Sequence, residues 1–257
     1  MHPDPGAVTT QYLPDPAAGR AQVVGIDYRV RLSRRARRLQ LHVFPHGEVE
    51  VVLPRGMNPE VVAPFVARHR GWILRTRARL MQRAPQAVET GLPVRIYLRA
   101  IDRGWRVDFQ PTGDAGLEEC QDDAGDVLFL RAPDERAACR LLQRWLSRQG
   151  RLHLVPWLEA VAAETGLRHG RVSVRGQRTR WGSCSSRGSL SLNRALLFLQ
   201  PSLVRQLFIH ELCHTVHLNH SPRFWRLVAR HSPRYRELER ALSQAAVEVP
   251  RWALARE

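Results

Sequence analysis

Apolar and polar residues alternate along the first part of the chain. Three alternating runs span residues 24–32, 39–43 and 49–53, and Pro45-His46-Gly47 separates the last two. Alternation with a period of two is typical of half-buried strands, and the Pro-His-Gly sequence is typical of a hairpin turn. Asn58-Pro59-Glu60 then indicates the start of a helix, whose apolar residues recur at helical spacing until Pro85.

The middle of the chain predicts more strands and then a long helix. Short runs at residues 94–98, 105–109 and 127–130 predict strands, and the acidic, Gly-rich stretch 111–125 predicts a loop. From Pro133-Asp134-Glu135 to Gly166 the spacing is helical, and Pro156 is expected to break or kink the helix. No internal repeat is visible in the sequence.

The last part of the chain completes a predicted α+β fold. Residues 171–175 and 189–193 predict strands, a helix follows Pro201-Ser202, and a last helix runs from Ser232-Pro233 to about residue 247. The chain is thereby divided into a disordered tail (1–21), a β-rich N-terminal module with one helix (22–131), an α+β domain (132–247) and a C-terminal tail (248–257).

The helix predicted after Pro201 contains a metal-binding pattern, His210-Glu211-Leu212-Cys213-His214. Residues four apart share a helix face, so His210 and His214 can bind one metal ion. Glu211 projects beside the ion, where it can hold and deprotonate a metal-bound water. This pattern is typical of zinc-dependent peptidases. The alternative interpretation is a helix with two packed or surface histidines.

A catalytic zinc site needs a third protein ligand. His217 shares the face of the motif histidines, but on a straight helix it lies roughly 10 Å from His210. His220 is better placed, because Asn219 can take the left-handed conformation that ends a helix. Ser221-Pro222 then resembles the cap and first residue of the next helix, so His220 is expected at a sharp corner.

Several other residues compete for roles near the metal. A carboxylate from a later helix, Glu237 or Glu239, is the competing third ligand. Cys184 is either an inhibitory thiolate that approaches the zinc or a small buried apolar side chain. Tyr235 and Arg223 are candidates for stabilising an oxyanion. The segment Arg180-Trp181-Gly182-Ser183-Cys184 either lines the cleft by strand addition or forms a structural turn.

Composition restricts the class of protein without defining its chemistry. The chain of 257 residues has a net charge of +16, and all forty basic residues are arginine. A codon bias explains this charge without a function, and affinity for a polyanion such as nucleic acid is the alternative. No apolar run is long enough to span a bilayer and the first twenty residues lack an apolar signal core, so we expect a cytoplasmic protein. The four cysteines, without a Cys-x-x-Cys, indicate no disulfide framework.

From about residue 22 to 247 the chain resembles the YgjP-like metallopeptidase family. The segments that carry the resemblance are Arg34-Arg35-Ala36-Arg37-Arg38-Leu39, Thr179-Arg180-Trp181-Gly182-Ser183-Cys184-Ser185, the motif at 210–214, and Asn219-His220-Ser221-Pro222-Arg223-Phe224-Trp225. The resemblance implies a zincin-like catalytic domain, related in plan to SprT-like and Wss1-like proteases. It also implies His210, His214 and His220 as zinc ligands and Glu211 as the catalytic residue.

Two hypotheses for function follow. The leading one is a cytoplasmic zinc metallopeptidase that acts on a polypeptide substrate through a metal-bound water activated by Glu211. The second is a non-catalytic binding module in which zinc is structural and the Arg-rich surface engages nucleic acid or a protein partner. It predicts a closed four-ligand site, with Cys184 or a carboxylate as the fourth ligand. The sequence does not define the oligomeric state.

Overall fold

The computed structural model describes residues 20–34, 36–44, 47–81, 91–177 and 179–254. The predicted N-terminal tail up to residue 19, the Pro45-His46 turn and the predicted helix end before Pro85 lie outside these residues. The chain forms two compact units, residues 1–84 and 85–257, and each has its own hydrophobic core. No helix in the described part of the chain has the length and apolar character that a membrane span requires.

The first unit contains a four-stranded sheet. Its strands are β1 (Arg20–Val23), β2 (Ile26–Ser33), β3 (Gln40–Val43) and β4 (Val49–Pro54), in the order β1-β2-β4-β3. Strands β2 and β4 are parallel, and the two outer pairs are antiparallel. The predicted strand from residue 24 is wrong at its start, because Val24 and Gly25 have φ of 49° and 72° and form a tight turn. Two positive φ values in succession are typical of a type I′ hairpin.

Helices cover one face of this sheet. A 3-10 turn (Pro59–Val61) is capped by the Asn58 side chain, which accepts from the Glu60 amide at 3.0 Å. Helices α1 (Val62–Arg68) and α2 (Arg70–Met81) follow, so the single predicted helix is interrupted at His69. Their buried residues Val62, Val66 and Ile73 join the apolar side chains of β2 and β4 in one core.

The second unit begins with a sheet that repeats the topology of the first. Its strands are β5 (Arg95–Leu98), β6 (Arg103–Pro111), β7 (Gly116–Asp122) and β8 (Gly125–Ala132), in the order β5-β6-β8-β7. The central pair is again parallel and the outer pairs antiparallel. The loop predicted at 111–125 is therefore wrong, because β7 lies within it. As an edge strand with mostly exposed side chains, β7 needs no apolar alternation.

A long helix, α3 (Glu135–Thr165), packs on this second sheet. It begins as predicted with Asp134, whose side chain accepts from the Ala137 amide at 2.6 Å, and ends at Gly166 with φ of 71°. The expected break at Pro156 is wrong, because the helix continues through this residue. Trp145 of α3 meets Trp105 of β6 edge to face, with centroids 5.0 Å apart. Sheet and helix share one core, and both belong to the second compact unit.

The rest of the second unit carries the metal-binding motif. A three-stranded sheet has the order β10 (Gly182–Cys184), β11 (Leu190–Asn193) and β9 (Val172–Arg175), with β10 at the edge. A 3-10 turn (Arg194–Phe198) precedes α4 (Pro201–Cys213), α5 (Pro222–His231) and α6 (Tyr235–Gln244), and a second 3-10 turn (Ala245–Glu248) leads to α7 (Arg251–Leu254). The predicted C-terminal tail contains α7, whose Trp252 is buried against Phe198.

Candidate metal centre

Helix α4 carries the first two histidines into the core of the second unit. It begins at Pro201 as the sequence predicts, and nine of its thirteen residues are buried. It ends earlier than predicted, because the Thr215 and Val216 amides donate to Leu212 and Cys213 in tight turns. Among the described non-glycine residues only Val24 and Asp102 have positive φ, so the left-handed Asn219 predicted to end the helix is wrong.

The third histidine reaches the motif from the corner before α5. Ser221 caps this helix as predicted, accepting from the Phe224 amide at 3.4 Å, and Pro222 is its first residue. The corner places the His220 ring 4.7 Å from that of His214 between centroids. Phe224 stacks on His214 at 4.4 Å, and Trp225 stacks on His220 at 5.5 Å. These aromatic rings hold the histidines in place.

The three imidazoles bring one nitrogen each to a common point. The Nε2 atoms of His210, His214 and His220 form a triangle with sides of 3.2, 3.2 and 3.1 Å. Nitrogens that bind one tetrahedral zinc at about 2.05 Å are about 3.3 Å apart, so this spacing suits a zinc ion. In the described part of the chain these histidines form the one group of three or more potential ligands whose donor atoms all lie within 4.8 Å of one another.

The outer ring nitrogens show why the triangle favours a cation. His210 Nδ1 lies 2.9 Å from Glu239 Oε1, and His214 Nδ1 lies 3.0 Å from the His217 carbonyl oxygen. Both partners are acceptors, so each Nδ1 carries the hydrogen and the neutral ring has a bare lone pair on Nε2. Burial lowers the pKa of His214 and of His220, which favours the neutral form. The lone pairs of His210 and His214 therefore converge without a hydrogen between them, an arrangement that a cation would stabilise.

Glu239 contacts a histidine of the triangle rather than joining the triangle. Its Oε1 accepts from His210 Nδ1 and, at 2.8 Å, from Gln206 Nε2. The structure thus assigns it an orienting contact that sequence reasoning did not identify, because Glu239 lies 29 residues from His210 on another helix. The other competing carboxylate, Glu237, is exposed and pairs with Arg234. Spacing within one helix could not show which of Glu237 and Glu239 contacts His210, because the contact joins two helices.

Glu211 lies on the same helix, with its carboxyl group buried. The residue is 5% exposed, and its Oε2 has no hydrogen-bond partner among the described residues. Burial is the main reason that its pKa is raised to about 7, and the neighbouring His210 opposes the shift. A buried acceptor without a partner, beside three converging nitrogens, fits a site that takes a metal ion and a water.

Gly182 of β10 makes room for this carboxyl group. A Cβ at position 182 would lie 2.7 Å from Glu211 Oε1 and 2.9 Å from its Cγ. Contacts this short do not occur, so any side chain here would displace Glu211 or the strand. The sequence-based interpretation of Gly182 as a turn residue is wrong in this respect, because the glycine lies in a strand and its small size is what the site requires.

The remaining candidates lie around the site rather than in the histidine triangle. Cys184 belongs to no described group of metal ligands, and burial together with Glu211 raises the pKa of its thiol to about 11. Trp181 donates its indole N–H to the Leu242 carbonyl at 3.0 Å, which ties β10 to α6. Tyr235 stacks on Trp225 at 5.5 Å, and Arg223 is exposed on the first turn of α5.

A His-Glu-x-x-His helix followed by a third histidine at the next corner is the type of site found in metallopeptidases. A model of the YgjP-like metallopeptidase domain matches residues 37–245, and the chain belongs to this family. No curated protein matches the chain. Among solved structures it is similar to the metallopeptidase zymogen abylysin of Pyrococcus abyssi, at 26% identity over 35% of this chain and 93% of that one, with a TM-score of 0.32.

Proposed function

We propose that this chain is a zinc-dependent metallopeptidase that hydrolyses peptide bonds with Glu211 as its catalytic base. The observation that supports this most strongly is the triangle of Nε2 atoms, with sides of 3.1 to 3.2 Å, beside a buried carboxyl group that lacks a partner among the described residues. The family of the chain supports a metal ion and a peptide substrate. The choice of zinc comes from the donor set, since three imidazoles with an open position are typical of catalytic zinc.

The roles of the residues follow from their positions. His210, His214 and His220 would hold the ion, which would polarise the scissile carbonyl and lower the pKa of the attacking water. Glu211 takes a proton from that water and later passes it to the leaving amine. Burial raises the pKa of Glu211 to about 7 in the metal-free chain, which makes the carboxylate a stronger base than an exposed glutamate.

The exposed edge of β10 is suited to an extended substrate. The Asn193 amide donates to the Trp181 carbonyl at 2.8 Å, and the Ser185 amide donates to Ser189 at 2.9 Å. In an antiparallel pair the bonded positions alternate, so the backbone groups of Gly182 and Cys184 point away from β11 toward the open edge. An added peptide strand would bond to these groups and pass beside Glu211.

The closed-site alternative has less support. It required Cys184 or a carboxylate as a fourth ligand, and neither belongs to the histidine group among the described residues. The Cys184 thiol instead donates to the Ser185 carbonyl oxygen at 3.3 Å. Glu239 is held by Gln206 and directed at a histidine ring.

The substitution Glu211→Gln tests the proposal. The variant should bind one zinc ion per chain and lose at least about 100-fold in cleavage of an unfolded, fluorescently quenched protein substrate. His220→Ala serves as the comparison and should lose both zinc and cleavage. Cleavage by Glu211→Gln at the parent rate would refute the mechanism. A parent protein that binds zinc but cleaves nothing over a broad peptide library would favour the binding module.

A further inference from the structure

The helical part of the first unit is rich in arginine and lacks acidic residues. Between residues 61 and 81 there are five arginines and no aspartate or glutamate. The sheet of the same unit differs, because Arg31 pairs with Glu50 at 2.9 Å and Arg29 lies within 4.0 Å of Glu48 and Glu50. Positive charge on the sheet is therefore partly neutralised, whereas positive charge on the helices is not.

The arginines of α2 divide between two faces. Arg70 donates to the Val24 carbonyl at 3.1 Å, and Arg77 donates to those of Gly47 at 2.7 Å and Asp27 at 3.3 Å. These two residues share the face of the buried Ile73 and tie the helix to the turns of the sheet. Their role is structural.

The opposite face presents an aromatic side chain among arginines. Trp72, Arg75 and Arg79 follow one another at helical spacing, and Arg68 lies one turn before Trp72. All four side chains are exposed, and the large indole of Trp72 is 43% exposed. In the described part of the chain no ion pair involves these three arginines. We call this set, Arg68, Trp72, Arg75 and Arg79, the outer stripe.

We propose that the outer stripe binds single-stranded nucleic acid. The guanidinium groups would contact successive phosphates along about 16 Å of helix, and a base would stack on the indole of Trp72. The exposed indole favours a single strand over a duplex, since the faces of duplex bases are already stacked. It also favours nucleic acid over an acidic peptide, which has charge but no base to stack.

Helix α3 provides a matched control on the same chain. Arg136, Arg140 and Arg144 are exposed at spacings of four residues, so they carry the same charge on a helix surface. The exposed large apolar side chains in the described part of the chain include no aromatic residue on α3. If charge alone caused binding, the two surfaces would be equivalent.

The test measures anisotropy of a fluorescein-labelled 20-mer of deoxythymidine with the full chain, over a series of salt concentrations and with EDTA present. Trp72→Ala should weaken binding by about 5- to 150-fold, the range for loss of one stacked base. Replacing Arg68, Arg75 and Arg79 together with glutamine should reduce the slope of log affinity against log salt by about 2. Replacing Arg136, Arg140 and Arg144 together with glutamine should change the affinity for the oligonucleotide less than threefold.

The outcomes are separable from the proposed peptidase function. His220→Ala should bind the oligonucleotide like the parent, because the outer stripe contains no residue of the metal site. The proposal is overturned if the parent does not bind at 50 mM salt or if Trp72→Ala binds as tightly as the parent. It is also overturned if the triple substitution on α3 weakens binding as much as the triple substitution in the outer stripe. Competition by unlabelled duplex DNA as strong as that by the unlabelled single strand would overturn it too. Circular dichroism of each variant checks that the fold is intact.

Discussion

Removing the carboxylate of Glu239 should weaken zinc binding, because Glu239 contacts His210 on the ring nitrogen that faces away from the histidine triangle. Its Oε1 accepts from His210 Nδ1 at 2.9 Å and from Gln206 Nε2 at 2.8 Å, which fixes the tautomer and the orientation of the ring. A carboxylate in this position also increases the basicity of the opposite ring nitrogen. The expected effect of Glu239→Ala is therefore on affinity, with one ion still bound per chain.

The magnitude follows from the hydrogen bond to His210 and the negative charge that each substitution removes. Loss of a hydrogen-bond partner behind a zinc-binding histidine typically costs 10- to 100-fold in metal affinity, or about 1.4 to 2.8 kcal/mol. Glu239→Ala removes both the charge and the acceptor, so we expect a loss of about 100-fold. Glu239→Gln keeps an oxygen that can accept from His210 and removes the charge, so we expect about 10-fold.

The assay is competition for zinc with a chromophoric chelator, performed on metal-free protein. Glu237→Gln is the matched control, because this exposed glutamate lies two residues away on α6 and pairs with Arg234. It should bind zinc like the parent. Thermal unfolding of the metal-free variants shows whether a lower zinc affinity comes from a misoriented His210 ring or from loss of the fold. The reasoning is refuted if Glu239→Ala binds zinc within twofold of the parent, or if Glu237→Gln is equally impaired.

Three further predictions concern the surroundings of the site. Gly182→Ala should keep zinc but lower cleavage by about 100-fold, because its Cβ would lie 2.7 Å from Glu211 Oε1; unchanged kinetics would show that the strand adapts. Alkylation of the Cys184 thiol, followed by mass spectrometry, should be slow at pH 8 and rise about tenfold per pH unit toward its pKa of about 11; a rate already at its plateau at pH 8 would contradict this. Trp252→Ala should destabilise the chain by about 3 to 5 kcal/mol in denaturant unfolding, since Trp252 is 6% exposed and packs on Phe198; a change under 1 kcal/mol would indicate a dispensable tail.

Local spacing explains what the sequence could predict. His210 and His214 share a helix face, and Ser221-Pro222 indicates a new helix just after His220, so all three histidines could be selected from a window of eleven residues. The caps of α3 were predictable for the same reason, since Asp134 and Gly166 act on adjacent backbone.

Features that depend on distant contacts could not be predicted in this way. Glu239 reaches His210 from another helix, and Gly182 is a glycine because of a carboxyl group on α4, so neither has a local signal. The strand β7 has no such signal either, because an exposed edge strand has little apolar pattern. The sequence also does not show that the two four-stranded sheets share one topology. A given strand order requires certain positions to be buried, but many different residues can fill those positions.

X-ray absorption at the zinc edge of the loaded protein tests the central claim most directly. We predict a first shell of three imidazole nitrogens and one oxygen at about 2.0 to 2.1 Å, with the imidazole signal reduced to two rings in His220→Ala. A sulfur at about 2.3 Å, or a spectrum unchanged by that substitution, would contradict a site formed by His210, His214 and His220 with an open position beside Glu211.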